Sequence, residues 1–116
     1  MDNSVLLKIK RDPLFGMTRE AYIDRLRRML ESRVDEAYFF GSFTGDSFDK
    51  FSDVDILLVK DTCKPFHERA FDYADILDLV PSTDILVYTR DELDNLLSEG
   101  VSGFWKSVKE SLVRFI

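Results

Sequence analysis

The sequence contains very little cysteine and histidine. Cys63 is the single cysteine and His67 the single histidine among the 116 residues. One cysteine cannot form an internal disulfide or a cysteine-rich zinc site, and one histidine excludes metal motifs that use two. Histidine-based catalysis is therefore not expected, and a reducing cytoplasm fits this cysteine usage.

Membrane and secretory segments are also missing. No apolar run approaches the roughly 20 residues that a membrane helix needs. Residues 1–8 have neither a basic start nor a long apolar centre, so we do not expect a signal peptide. We expect no membrane partner.

The net charge is −6, because 22 acidic residues outnumber 16 basic ones. A broad basic surface for nucleic acid is therefore not expected, but a small phosphate ligand held through a cation is not excluded. Five arginines between residues 19 and 33 are interpreted as a solvated helix face, with a partner surface as the alternative.

The length and the 45% hydrophobic content predict one globular domain. We assign residues 1–17 to an N-terminal arm and residues 18–116 to the domain. Alternating helices and strands predict an α/β (α+β) fold with a small mixed sheet flanked by helices.

Local patterns place the elements. Thr18 is the predicted N-cap of the first helix, and Thr89 with Glu92 has the form of a capping box. The final segment is interpreted as an edge strand, with final helical turns as the alternative. The predicted strands cover residues 37–40, 54–59, 83–88 and 112–116; the predicted helices cover residues 19–34, 65–79 and 89–97, and a last one begins at 104. The aromatic residues expected in the core are Phe39, Phe40, Phe66, Phe71 and Trp105.

Two aspartates open the second predicted strand. Alternation places Asp53 and Asp55 on one face, about 6.5 Å apart along the strand. Carboxylates at this spacing can flank metal ions about 3.5–4 Å from each other. Magnesium suits such oxygen ligands and leaves positions for phosphate. Asp84, at the start of the next strand, offers a third carboxylate; the alternative for all three is a simple turn residue.

Gly41 and Ser42 follow the first predicted strand. Glycine lets the backbone approach a ligand closely, and amides at the start of the next turn can bind phosphate oxygens. Ser52 is interpreted as a residue that hydrogen-bonds its own loop, with phosphate contact as the alternative.

The segment Gly41-Ser42, nine residues, then Ser52-Asp53-x-Asp55 resembles the signature of the DNA polymerase beta-like nucleotidyltransferases, in particular the minimal nucleotidyltransferases. The resemblance covers roughly residues 20–116. It implies the polymerase beta-like nucleotidyltransferase fold, a triphosphate above Gly41 and Ser42, and two Mg²⁺ ions held by Asp53, Asp55 and Asp84. The sequence departs from the family pattern at Phe43-Thr44-Gly45. The arginine that usually precedes this glycine is missing, and the segment before the glycine is one residue shorter.

The resemblance further implies a cytoplasmic enzyme that moves AMP from ATP to a hydroxyl acceptor. Minimal members commonly act as antitoxins in toxin–antitoxin pairs and attach AMP to a tyrosine of a helical HEPN-family toxin. An HEPN-family partner or self-association is therefore expected. The alternative is a weakly active or inactive binding module of the same fold that masks a partner protein.

Overall fold

Helices and strands alternate along the residues that the computed structural model describes, which are 13–46, 48–49, 52–98 and 103–116. The strands are β1 (Glu36–Phe40), β2 (Val54–Val59), β3 (Thr83–Tyr88) and β4 (Val113–Arg114). The α-helices are α1 (Arg19–Leu30), α2 (Phe66–Arg69), α3 (Arg90–Ser98) and α4 (Phe104–Ser111). Two 3₁₀ segments follow β1 and α2, over Gly41–Thr44 and Ala70–Asp78.

The four strands form one mixed sheet in the order β3-β2-β1-β4. β1 is antiparallel to both of its neighbours, whereas β2 and β3 are parallel. The predicted mixed sheet is therefore confirmed. The predicted edge strand at the carboxyl end is confirmed as β4, which pairs Val113 with Phe39. None of the helices in the described part of the chain is long and apolar enough to cross a bilayer.

The sheet is covered on both faces, and β2 is its most buried strand. One face packs on α1 through Tyr22, Leu26 and Leu30 and on the 3₁₀ segment 70–78. The other face packs on Leu93 of α3 and Val108 of α4. A strand between two layers must be apolar on both sides, which explains the nearly continuous apolar run of β2.

The second predicted helix differs most from the structure. Tyr73 has φ −117° and ψ 17°, so the segment is one α-helical turn followed by 3₁₀ structure. A 3₁₀ segment repeats every three residues, which brings Tyr73 and Ile76 to the core. Phe66 and Phe71 are 44% and 76% exposed, so their predicted core positions were wrong.

The first helix also differs from its prediction. α1 ends at Leu30, earlier than predicted, and it buries Tyr22 in place of the exposed Ala21. Leu14 belongs to the core cluster. Most of the predicted arm, residues 1–12, lies outside the described residues, and the domain boundary at residue 17 stays a prediction.

Side-chain caps fix two helix starts as predicted. Thr18 Oγ1 accepts a hydrogen bond from the Ala21 amide at 3.1 Å. The capping box is reciprocal: the Thr89 amide donates to Glu92 Oε1 at 2.8 Å, and the Glu92 amide donates to Thr89 Oγ1 at 3.2 Å. Both contacts satisfy amides that a helix start leaves without partners.

A second role of Glu92 is to pair with Arg69, which is only 7% exposed. Arg69 Nη1 lies 2.6 Å from Glu92 Oε1, and the same guanidinium donates to the backbone oxygens of Lys64 and Val87. This interaction joins α2, β3 and α3 at the carboxyl end of β3. The hydrogen bonds from Arg69 and from the Thr89 backbone lower the pKa of Glu92 from 4.5 to about 2.

Replacing Glu92 with Gln should lower stability at pH 7 by about 1–2 kcal/mol, since a charged hydrogen bond to Arg69 is lost while part of Glu92 stays screened by solvent. A depressed carboxyl pKa stabilises the fold above pH 4.5, and this contribution disappears as the pH falls towards 2. Melting curves of the two proteins should therefore converge over that interval. Asp94→Asn, which alters an exposed pair on the same helix, should change stability by less than about 0.5 kcal/mol.

Candidate functional site

The acidic residues Asp55 and Asp84 are direct neighbours across the parallel pair β2–β3. Each is the second residue of its strand. Alternation along β2 places Asp55 on the same face as Leu57 and Val59, which pack towards α3 and α4. Parallel strands start at the same edge of a sheet, so two acidic side chains that are 29 positions apart in the sequence meet there.

These two carboxylates open onto a cleft of about 290 Å³. Its remaining lining is apolar: Phe40 of β1, Ile85 and Leu86 of β3, and Phe104 of α4. Phe104 is 57% exposed, although its ring contacts Phe40 and Trp105 edge-on. The cleft therefore combines an acidic end with an aromatic wall, and it can hold a small organic group beside the carboxylates.

Gly41 lies directly against Asp55. Its φ is +70°, a conformation that favours glycine, and a Cβ on this residue would lie 2.4 Å from Asp55 Oδ2. A side chain here would therefore displace the carboxylate. Gly41 opens the 3₁₀ turn Gly41–Thr44, which directly follows β1. The predicted residues Gly41 and Asp55 are thus in contact, and their separation of 14 positions is closed by the antiparallel pair β1–β2.

The charge balance at Asp55 is unfavourable. Burial raises its pKa from 3.8 to about 6, and the neighbouring Asp84 adds to the rise through its charge and through a hydrogen bond that favours the protonated form. The charge of Asp53 acts in the same direction. Every one of these effects disfavours the carboxylate, so a cation at this end of the sheet would stabilise the ionised site.

The other predicted site residues lie around this pair. Asp53 is exposed, just before β2. Ser52 Oγ donates to Asp49 Oδ1 at 3.2 Å and accepts from the Asp49 amide at 3.1 Å, which supports the loop-bonding interpretation. Ser42 is half-buried in the turn, where its carbonyl accepts from the Gly45 amide at 3.1 Å.

Asp53 does not form a three-carboxylate group with Asp55 and Asp84. Within residues 13–46, 48–49, 52–98 and 103–116, no three acidic, histidine or cysteine side chains form a group that could hold a metal ion. Its charge nevertheless acts on Asp55.

Three residues at the site were not found from the sequence. Phe104 forms the aromatic wall. Ser111, at the end of α4, accepts a hydrogen bond from the Gly41 amide at 2.9 Å. Arg19 of α1 donates to the carbonyl of Phe43, and its guanidinium lies 4.3 Å from the centre of the Phe43 ring. No local motif marks them, because each reaches the site through tertiary contacts; Ser111 is 70 positions away from Gly41.

The fold and the site together define a small α+β protein with an acidic cleft beside a glycine turn. Residues 20–114 match the family model described as a nucleotidyltransferase domain, and the chain therefore belongs to that family. The predicted family and fold are confirmed, and membership supports nucleotidyl transfer from a nucleoside triphosphate as the general activity. A search among curated proteins found no match.

Replacing Gly41 with Ala should cost about 2–4 kcal/mol of stability. About 1 kcal/mol comes from the positive φ, and the rest from the forced contact with Asp55. Gly103→Ala is the control for positive φ, because Gly103 has φ +68° and no atom of the described residues, its chain neighbours apart, lies within 4 Å of an added Cβ. The Gly103→Ala variant should lose only the stability that the positive φ costs. Equal losses in urea denaturation of the two variants would show that Gly41 does not press on Asp55.

Proposed function

We propose that this protein is a Mg²⁺-dependent nucleotidyltransferase that moves AMP from ATP to a hydroxyl acceptor. The observation that carries the proposal is the contact of Gly41 with Asp55 beside Asp84, at the mouth of the cleft. Family membership supports the general reaction. The metal, the nucleotide and the roles of the residues are our assignment.

The residues present fit a hard divalent cation. Asp55 and Asp84 offer carboxylate oxygens, which Mg²⁺ prefers, and burial together with the charge of Asp84 raises the pKa of Asp55. Asp53, Asp55 and Asp84 would hold two ions, with Asp53 joining from its exposed position before β2. Bound Mg²⁺ would neutralise these carboxylates and the charge that develops on the phosphates.

The protein's own residues would bind and orient the reactants. Gly41 and Ser42 would lie beneath the triphosphate, with the Ser42 hydroxyl donating to a phosphate oxygen and Ser52 holding the loop before Asp53. The acceptor oxygen attacks the α-phosphorus, a P–O bond forms, and the bond to the β-phosphate oxygen breaks to release pyrophosphate. Asp84 would take the proton from the attacking hydroxyl.

For the acceptor, we propose a tyrosine of an HEPN-family toxin, with this protein as the antitoxin and the cytoplasm as the compartment. The net charge of −6 would favour association with a basic, RNA-cleaving partner. Self-association is the alternative to an HEPN-family partner.

A second candidate function is a binding module of the same fold that masks its partner without chemistry. The observation in its favour is that Asp53 is exposed and that the described residues contain no complete three-ligand metal group. This candidate requires partner binding that is indifferent to ATP and Mg²⁺.

Thermal shift separates these candidates. ATP with Mg²⁺ at 100 times Kd should stabilise the wild type by about 2.7 kcal/mol, because a ligand of the folded state shifts the unfolding equilibrium. Asp55→Asn should abolish the shift, whereas Asp78→Asn, exposed on the segment that packs on the opposite face, should keep it. If the folded wild type shows no thermal shift, the transferase is excluded and the masking module is retained. A shift that does not require Mg²⁺ would indicate a different phosphate-binding site.

Mass spectrometry tests the acceptor. A purified HEPN-family partner incubated with the wild type, ATP and Mg²⁺ should gain the mass of AMP on a tyrosine, and at least 100-fold less product should form with Asp55→Asn, since a metal-binding carboxylate is lost. Asp78→Asn should act like the wild type. An unmodified partner that still forms a complex would contradict the transferase assignment for this acceptor.

A further inference from the structure

The hydroxyl of Ser111 lies where a longer β4 would place a backbone carbonyl to accept from the Gly41 amide. β1 and β4 pair Tyr38 with Arg114 and Phe39 with Val113. Continuing this register by two residues places Gly41 opposite Ser111. The chain at Ser111 is helical, so its backbone cannot form that rung. Its Oγ accepts from the Gly41 amide instead, at 2.9 Å.

Ser111 is itself firmly held. Its hydroxyl donates within α4 towards the carbonyl oxygen of Ser107, at 2.9 Å. Two residues later, β4 ties the same segment to Phe39. The acceptor that faces Gly41 is therefore fixed from both sides, by the helix and by the sheet, and a fixed acceptor restricts the peptide that donates to it.

The hydrogen bond to Ser111 restricts the Gly41 peptide, which borders the acidic pair. Gly41 contacts Asp55, and the next residue is Ser42, whose hydroxyl we assign to the triphosphate. The far end of the turn is anchored independently, because Arg19 donates to the Phe43 carbonyl and packs on the Phe43 ring. At the end that borders the acidic pair, Thr44 Oγ1 holds the Gly41 carbonyl at 3.0 Å, and Ser111 holds the Gly41 amide.

We infer that Ser111 is a positioning residue for nucleotidyl transfer: through the Gly41 amide it sets the turn against Asp55 and so prepares the site for magnesium-bound ATP. This inference rests on the proposed function for its ligand. It adds Ser111 to the site, so that α4 contributes a positioning residue as well as the aromatic wall of Phe104.

Removal of the hydroxyl is the direct test. Ser111→Ala should weaken ATP binding in the presence of Mg²⁺ about tenfold, because the Gly41 amide loses its acceptor. Ser111→Thr keeps a hydroxyl that can bond to the same helical carbonyl, and its Kd should stay within about threefold of the wild type. The control is Ser107→Ala, since the Ser107 side chain is exposed and Ser111 uses only its carbonyl. Its Kd should equal that of the wild type.

Hydrogen exchange of the Gly41 amide in the free protein adds a readout that general destabilisation does not reproduce. Exchange at Gly41 should accelerate in Ser111→Ala far more than exchange in β2, and Ser111→Thr should restore protection. Unchanged or tighter ATP binding by Ser111→Ala would overturn the inference, as would a loss that Ser111→Thr does not rescue. A wild type that binds no ATP would instead overturn the proposed function, while the exchange data would still report on the Gly41 contact.

Discussion

The parallel pairing of β2 and β3 is the constraint on which the site depends. It sets Asp55 beside Asp84 at the end where both strands begin, and burial together with these acidic neighbours raises the pKa of Asp55. Two adjacent carboxylates are costly in a core. In this protein they lie at an open cleft. Gly41 has only a hydrogen atom where a Cβ would meet Asp55, so no side chain of residue 41 crowds the carboxylate.

The two ends of this parallel pair have opposite roles. At the amino ends the acidic pair faces a cleft, and burial together with the charges of Asp84 and Asp53 disfavours the Asp55 carboxylate. Near the carboxyl ends Arg69 is buried, paired with Glu92 and bonded to the Val87 carbonyl, so that α2, β3 and α3 are joined. Ion pairing therefore stabilises the carboxyl ends, whereas the acidic neighbours at the cleft repel one another.

The turn between β1 and β2 shows how distant parts of the chain build one site. Gly41 is held by Ser111 near the carboxyl end, and Phe43 is held by Arg19 near the start of α1. The sheet brings these segments together, since β1 lies between β2 and β4. The turn is thus shaped by α1 and α4 as much as by its own sequence.

The sequence by itself determined what local rules control. The caps at Thr18 and Thr89 and the strands β2 and β3 follow from side-chain chemistry and periodicity, whereas the placement of Gly41 beside the aspartates was implied by the family resemblance. Local rules were wrong where packing prevailed: the backbone at Tyr73 leaves the helical region, and Phe66 and Phe71 turn outwards. Only the tertiary structure decided that Phe104, Ser111 and Arg19 lie against the cleft and its turn. Their contacts depend on strand register and helix placement, which residues far apart in the sequence set jointly.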